Sequence, residues 1–290
     1  MRSSISFMGT LACCVALAAC SQDPPGFDTP ESALHDAVAD VYLVSNIHGA
    51  PLAKDGNGYI ARVSPEDGSM QRWWIAGGKN GVTLHAPKGM ALVGEVLWVA
   101  DIDVLRRFDR TSGAPLGETA IPGATFLNDV AAGPDGSVYV TDTGLDATFA
   151  ASGTDAIWKV GNDGAVTALA RGPELGQPNG LFALAGGLYV VSWSTGKIFQ
   201  VDYKGIRTDL LQAPQAQLDG IVRFDAGEGP AGWLVTSWVG KCVYRFDATG
   251  GIAPLPISLD QPADCGFDAV RRRLLVPLFG QNRLELLPVK

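Results

Sequence analysis

The chain has 290 residues, a formal net charge of −8 and only 18 % charged residues. Hydrophobic residues make up 47 % of it, which excludes an intrinsically disordered protein, since such chains have too little apolar surface to bury. No basic cluster offsets the negative charge, and nucleic acid is therefore excluded as a partner.

The first 19 residues predict a lipoprotein signal peptide. A single charge at Arg2 precedes an apolar stretch over 5–16, which is shorter than the about 20 residues that a membrane-spanning helix needs. The boundary LAAC at 17–20 resembles the lipobox of bacterial lipoproteins, which implies cleavage before Cys20 and lipidation of its thiol. The alternative is an ordinary secretory leader that is cut at the same small residues.

The resemblance to bacterial lipoproteins also implies a location in the cell envelope. Residues 20–27 would form a lipidated tether. A serine directly after the lipidated cysteine, here Ser21, implies the outer membrane, with the protein facing the periplasm. Each buried methylene of the acyl chains contributes about 0.8 kcal/mol, so we expect stable membrane contact through this lipid anchor.

Two cysteines, Cys242 and Cys265, lie well beyond this leader. An oxidising periplasm permits a disulfide between them. The alternative is that both are small, buried, apolar residues. Neither has a CxxC neighbour, which disfavours a thiolate metal site.

Residues 28–290 contain six copies of a β-rich unit with a period of about 45 residues. Each copy has an apolar run, interpreted as its first strand, and most continue into a second β-rich run that ends in a glycine turn. The six apolar runs are 41–44, 96–99, 138–141, 188–191, 233–236 and 274–277. No sustained helical periodicity interrupts them. This pattern predicts an all-β fold, a six-bladed β-propeller of four-stranded sheets.

The end of the chain leaves the sixth blade open to two interpretations. The run at 283–287 is its third strand, and the sequence ends shortly afterwards. The blade therefore has three strands, or it takes a fourth from the segment that precedes the first repeat.

A short polar signature lies just before each predicted first strand. The innermost strands of a propeller run beside the central axis, so we expect their starting residues to converge at one mouth of the channel. The predicted ring consists of Glu31, Lys88, Asn128, Asn179, Asp219 and Asp264.

This ring favours a hard cation. Carboxylate and amide oxygens are the ligands that calcium prefers, and it takes six to eight of them with water filling the vacancies. The ring has no His or Cys, which disfavours zinc and copper. The alternative is that the ring residues only pair with one another and close the channel.

The signatures at 30–32, 128–129, 178–180 and 218–220 resemble those of the family of gluconolactonases, regucalcin and luciferin-regenerating enzymes. The resemblance covers residues 28–290 and implies a six-bladed propeller with a divalent cation, usually calcium, on its axis. It implies that Glu31, Asn179 and Asp219 bind this metal, and that Asn128 binds metal or substrate. It further implies that Asp219 is the catalytic acid, base or nucleophile.

Two departures from the family pattern affect the expected substrate. Phe126 stands where sugar-lactonase members carry an arginine that holds substrate hydroxyls, which implies a less polar substrate. Lys88 and Asp264 lie outside the shared metal set. We expect Lys88 to bind substrate by stabilising a developing oxyanion; alternatively, it pairs with Asp264 or Glu31.

The sequence therefore predicts a calcium-dependent hydrolase of a lactone or related ester, a monomer acting on a small molecule. The second possibility is a non-catalytic periplasmic propeller that binds a ligand or a partner protein, with a structural cation. Trp193 and Trp238 end strands at the channel mouth, where they either form an apolar wall for a substrate or pack between blades. No nucleotide is expected, because the G-x-G-x-x-G letters at 227–232 precede a strand instead of a helix.

Overall fold

The computed structural model describes residues 26–225, 231–247 and 250–289. Within these ranges the chain forms 23 strands and two short 3₁₀ turns, Pro173–Leu175 and Phe279–Gln281. The predicted signal peptide at 1–19, the lipidation site Cys20, most of the tether and the segment 226–230 lie outside the described residues. No helix in the described part is long and apolar enough to cross a bilayer.

The strands form six antiparallel sheets in the described part, and each sheet is one blade. Blades 1 to 3 consist of β1 (Pro30–Asp36), β2 (Val41–Asn46), β3 (Tyr59–Val63), β4 (Met70–Ala76); β5 (Pro87–Val93), β6 (Val96–Asp101), β7 (Val104–Asp109), β8 (Pro115–Ala120); β9 (Leu127–Ala132), β10 (Val138–Asp142), β11 (Ala156–Val160), β12 (Val166–Arg171). Blades 4 to 6 consist of β13 (Pro178–Leu184), β14 (Gly187–Ser192), β15 (Lys197–Val201), β16 (Arg207–Gln212); β17 (Leu218–Phe224), β18 (Gly232–Ser237), β19 (Cys242–Asp247), β20 (Ile252–Pro254); β21 (Gly266–Asp268), β22 (Arg273–Leu278), β23 (Arg283–Pro288).

The first strands of successive blades contact one another in a closed circle, β1, β5, β9, β13, β17, β21 and back to β1. The prediction of an all-β, six-bladed β-propeller is thereby confirmed. The six apolar runs, however, are the second strands of their blades, and the prediction that they come first is wrong. The polar signatures open the true first strands in blades 1 to 5, which read as less apolar although they line the axis.

The sixth blade has three strands in the described part of the chain. It joins blade 1 through a parallel bridge between Ser32 and Asp264, where the Asp264 N–H donates to the Glu31 carbonyl over 2.9 Å. Phe27, the last residue of the predicted tether, packs against a cluster in blade 1 that includes Tyr59. The ring is therefore closed by contacts between the first and last blades.

The hydrophobic core is divided among the interfaces between neighbouring blades. One apolar cluster fills each of the six interfaces, with side chains from both adjoining sheets. Because the second strands are covered on both faces, they read as nearly continuous apolar runs. Cys242 and Cys265 are free thiols buried in two of these clusters, which agrees with their interpretation as small apolar residues.

Candidate functional site

A cavity of about 260 Å³ opens at one mouth of the central channel. This is close to the lower end of the range of about 300 to 1,000 Å³ that is typical of small-molecule sites. Five of the six predicted ring residues line it, one from each of the first five blades: Glu31, Lys88, Asn128, Asn179 and Asp219. Each of the five is at most 6 % exposed, so together they form a buried polar floor.

A β-bulge places each of these five side chains. The pairing of the first strand with the second shifts its register across the polar signature in all five blades. In blade 4, for example, the shift lies between Pro178 and Leu181 and includes Asn179. A bulge bends the strand and re-aims a side chain away from the regular ladder, which accounts for polar residues pointing along the axis instead of into the apolar interfaces.

The glycines of the signatures let neighbouring first strands approach one another. A Cβ on Gly180 would lie 2.3 Å from the Asp219 carbonyl oxygen, and one on Gly220 would lie 2.4 Å from the Cys265 nitrogen. Only glycine fits such spacings. The letters Asn-Gly and Asp-Gly in these signatures therefore combine a functional side chain with close packing on the axis.

The sixth predicted ring residue, Asp264, is not part of this floor, and that prediction is wrong. Asp264 lines the opposite mouth of the channel together with Ser32 and Asp129, each of which follows a floor residue in sequence. It pairs with Ser32, so the sixth signature is displaced by one position relative to the others. The position level with the floor residues is occupied by Ala263, which is fully buried.

Four buried oxygen atoms on the floor have no hydrogen-bond partner among the described residues. They belong to four different blades: Glu31 Oε2, Asn128 Oδ1, Asn179 Oδ1 and Asp219 Oδ1. The amide of Asn128 is fixed, since its Nδ2 donates to Thr143 Oγ1 over 3.0 Å and Thr143 donates to the Pro178 carbonyl. Buried polar atoms are normally satisfied, so four unpaired acceptors in one cavity favour a bound cation or hydrogen-bond donor at this place.

Burial raises the pKa of both floor carboxylates. For Glu31 the pKa lies well above its usual value because of burial, then the charges of Asp219 and Asp264, while Lys88 lowers it. For Asp219 burial and the charge of Asp264 raise the pKa, and the neighbouring Trp238 and Asn179 side chains lower it. Without further positive charge, the floor therefore resists ionisation of its acids.

The only floor cation in the described structure, Lys88, is 1 % exposed. Its Nζ donates to the carbonyls of Pro51 and Ala86 over 2.9 and 3.0 Å, and lies 4.7 Å from the centre of the Phe126 ring. Burial lowers its pKa to about 8, and the charges of Glu31 and Asp101 oppose this shift. The ammonium therefore remains mostly charged at neutral pH.

The walls above the floor are apolar. Trp193, Trp238 and Phe279 line one side, and Phe126 with Phe149 the other. Sequence reasoning identified both tryptophans and Phe126 but missed Phe279 and Phe149. Phe279 was recognisable, because it directly follows the second strand of blade 6 as Trp193 and Trp238 follow theirs in blades 4 and 5. Phe149 lies in the long loop 143–155, whose path had no sequence signal.

Searches against protein-family models and against curated proteins found no match to this chain. Solved structures with the same fold do exist. A gluconolactonase from Xanthomonas campestris superposes with a TM-score of 0.67 at 19 % identity, covering 91 % of this chain and 87 % of that one. A luciferin-regenerating enzyme gives a TM-score of 0.64 at 14 % identity, covering 88 % and 86 %.

A protein described as a binding protein also shares this fold. An auxiliary nutrient binding protein from Bacteroides ovatus superposes with a TM-score of 0.66 at 12 % identity, covering 91 % of this chain and 70 % of that one. At these identities the comparisons show a common six-bladed propeller fold, in enzymes and in a binding protein alike.

Proposed function

We propose that this chain is a divalent-cation-dependent hydrolase of lactones or related esters, with Ca²⁺ as the cation. The observation that carries the proposal is the set of four unpaired, buried oxygens on the cavity floor. Solved propellers of similar fold include a gluconolactonase, which supports this class of reaction for a site at the channel mouth.

The donor set fits a hard cation. Two carboxylates, Glu31 and Asp219, and two amides, Asn128 and Asn179, supply oxygen ligands, and calcium fills its remaining positions with water. No group of three or more His, Cys, Asp or Glu in the described part of the chain is placed to hold a metal, and this set indeed has only two acids. A divalent ion would also supply the positive charge that these buried acids lack, since Lys88 alone balances one of them.

Each floor residue has a role in this proposal. A cation held by Glu31, Asn128, Asn179 and Asp219 would supply Lewis-acid polarisation of the ester carbonyl. As a carboxylate, Asp219 takes the proton of a water that attacks the carbonyl carbon, the ring C–O bond breaks, and the proton passes to the leaving alkoxide to give the hydroxy acid. Alternatively, Asp219 attacks the carbonyl carbon itself, and water then hydrolyses the acyl-enzyme. Asn128 and Asn179 would orient the substrate by holding the cation to which its carbonyl binds. Lys88 retains one N–H beyond its two carbonyl partners, and this donor is available to stabilise the oxyanion.

The proposed setting is the cell envelope. A lipid on Cys20 would hold the propeller, as a monomer, on the periplasmic face of the outer membrane. Phe27 packs against blade 1, so a tether of only a few residues would connect the lipid to the folded domain.

A second candidate function is ligand binding without catalysis. The apolar cavity walls and the fold shared with a nutrient binding protein favour it. In that case the cation would serve structure only, and the floor would hold a ligand without turnover.

Hydrolysis of simple lactones before and after chelation tests the proposal. We expect the purified protein to hydrolyse δ-valerolactone in a pH-stat, to lose this activity in EDTA and to regain it with Ca²⁺. Asp219→Asn should lower kcat by about 10² to 10⁴, whereas Asp264→Asn, the matched change at the opposite mouth, should retain activity. Turnover that is indifferent to both EDTA and Asp219→Asn would refute the proposal; Ca²⁺ binding without any turnover would favour the second candidate.

A further inference from the structure

One rule of blade geometry places most of the apolar wall of the cavity. In each blade, the residue directly after the second strand lies near the channel mouth, and five of these six residues line the cavity: Ile47, Thr143, Trp193, Trp238 and Phe279. The backbone N–H of each of these five residues donates to a carbonyl just before the first strand of the same blade, or, in blade 6, just before the isolated bridge that precedes that strand. For example, the Trp238 N–H donates to the Gln217 carbonyl over 2.9 Å. The backbone therefore presents this side chain to the cavity.

In blades 4, 5 and 6 this position is aromatic, which creates a continuous wall. The ring centres of Trp193 and Trp238 are 5.3 Å apart in an edge-to-face arrangement, and those of Trp238 and Phe279 are 5.1 Å apart. Aromatic pairs at such distances hold each other rigidly. The wall thus offers fixed ring faces and edges on one side of the polar floor.

The opposite wall comes from blade 3. Phe126 precedes the first strand of that blade, and Phe149 extends over it from the loop 143–155 with 6.2 Å between ring centres. Leu145 of the same loop also lines the cavity. Phe149 is 57 % exposed, so its contact with Phe126 leaves more than half of its surface uncovered. A substrate body entering the cavity therefore passes between two aromatic surfaces.

The floor has few hydrogen-bonding groups left for hydroxyls. Lys88 uses two donors on backbone carbonyls, the Asn128 amide nitrogen is taken by Thr143, and the Thr143 hydroxyl is taken by Pro178. The donors that remain are the third N–H of Lys88, assigned to the oxyanion, and the buried Trp238 Nε1 beside Asp219. The four unpaired acceptors are those assigned to the cation. A polyhydroxylated lactone would bury several hydroxyls without partners, at a cost of about 1 to 3 kcal/mol each.

We infer that the substrate is an uncharged lactone or ester with an apolar, ring-bearing body and no hydroxyls near its carbonyl. This inference rests on the proposed function and extends it to a substrate class. The carbonyl lies on the polar floor, and the ring of the substrate packs between the wall of Trp193, Trp238 and Phe279 and the pair Phe126 and Phe149.

Three lactones that share a six-membered ring test this inference: 6-phenyl-δ-valerolactone, unsubstituted δ-valerolactone and D-glucono-δ-lactone. We expect kcat/KM for the phenyl lactone to exceed that for each of the other two by at least about tenfold. Trp193→Ala should lower the ratio of phenyl lactone to δ-valerolactone by about tenfold. Trp73→Ala removes a tryptophan that is 40 % exposed outside the cavity, and it should leave this ratio unchanged.

Binding of 2-phenylcyclohexanone, which has the ring and the carbonyl but no ester, separates the two possible failures. If the ketone quenches tryptophan fluorescence in the Ca²⁺-loaded protein, binds at least about tenfold more weakly to Trp193→Ala, and no lactone is hydrolysed, the proposed function fails and the apolar site stands. Hydrolysis of the glucono-lactone at least as fast as the phenyl lactone would overturn the inference while retaining the hydrolase. Ketone binding that is indifferent to Trp193→Ala would also overturn it.

Discussion

Both mouths of the channel carry buried acids, but these acids differ in whether the protein donates hydrogen bonds to their oxygens. At the cavity floor, one oxygen each of Glu31 and Asp219 has no partner among the described residues. At the opposite mouth, Asp129 accepts from the N–H groups of Val130 and Leu181 over 2.6 and 2.7 Å, and Asp264 accepts from Ser32 Oγ over 2.5 Å.

The difference distinguishes a ligand site from a structural one. The acids at both mouths are buried, and burial raises the pKa of all four. Burial and pKa alone therefore do not distinguish the two mouths. Hydrogen bonding does distinguish them, because the protein supplies donors to the acids at the opposite mouth and leaves acceptors unpaired at the cavity floor.

Removing an acid from the cavity floor should weaken cation binding far more than removing one from the opposite mouth. We expect Glu31→Gln to weaken Ca²⁺ binding at least about 100-fold, because loss of even an outer partner of a metal ligand costs about 10- to 100-fold. Asp264→Asn should change the affinity only a few-fold. Calorimetric titration of the chelated protein measures both, and equal losses in the two variants would remove the distinction between the levels.

Stability of the metal-free protein should show the reverse order. Asp129→Ala leaves two buried N–H groups unpaired, and each costs about 1 to 3 kcal/mol. Asn179→Ala removes an acceptor that had no partner and the amide donor beside Asp219, so the free energy of unfolding should fall by about 1 kcal/mol, less than in Asp129→Ala. Urea unfolding in EDTA compares the two variants. A loss for Asn179→Ala as large as that for Asp129→Ala would contradict this contrast.

The pH dependence of stability should differ with and without Ca²⁺. Burial raises the pKa of Asp264 to about 7, so between its usual pKa and 7 the folded protein holds a proton that the unfolded chain has released. Stability of the metal-free protein therefore falls as pH rises from about 5 to 7. The raised pKa values of Glu31 and Asp219 act in the same direction.

Thermal melts in EDTA and in Ca²⁺ measure this dependence. The increase in Tm on adding Ca²⁺ should be larger at pH 8 than at pH 5, since protons compete with the cation for the floor acids. Asp264→Asn should make the fall in the metal-free protein shallower. A Tm in EDTA that rises steadily from pH 5 to 7 would show that these acids ionise without a cation.

Lys88 should have the smallest effect on cation binding. Lys88→Met removes a positive charge from the floor, so Ca²⁺ should bind several-fold more tightly, because a like charge no longer repels it. The same change should lower kcat, since the oxyanion donor is lost. Lys54→Met, at an exposed salt bridge with Asp103, is the matched control and should change neither quantity. Weaker Ca²⁺ binding in Lys88→Met would mean that the ammonium mainly holds the loop at Pro51 in place.

Much of the fold and of the floor was predictable from the sequence. The period of about 45 residues and the turn glycines indicated six blades, and the signatures located Glu31, Lys88, Asn128, Asn179 and Asp219 at one mouth. These features are readable because the first five blades repeat the same bulge at the same place in their first strands.

The level of Asp264 was not predictable, because it depends on register. The segment that leads into the sixth first strand is irregular, with an isolated bridge at Pro262 before β21 begins, and a displacement by one residue moves a side chain to the other level. Satisfaction of Asp129 depends on the Leu181 N–H of the next blade, a contact between residues distant in sequence. The position of Phe149 at the cavity depends on the path of the long loop 143–155, which the sequence does not indicate.

A crystal structure of the Ca²⁺-loaded protein tests the cation site most directly. We expect a single ion at the cavity floor, about 2.3 to 2.6 Å from oxygens of Glu31, Asn128, Asn179 and Asp219, with water at its remaining positions. Electron density showing these oxygens bonded only to one another or to water, in crystals grown in millimolar Ca²⁺, would contradict the cation site and the hydrolase built on it.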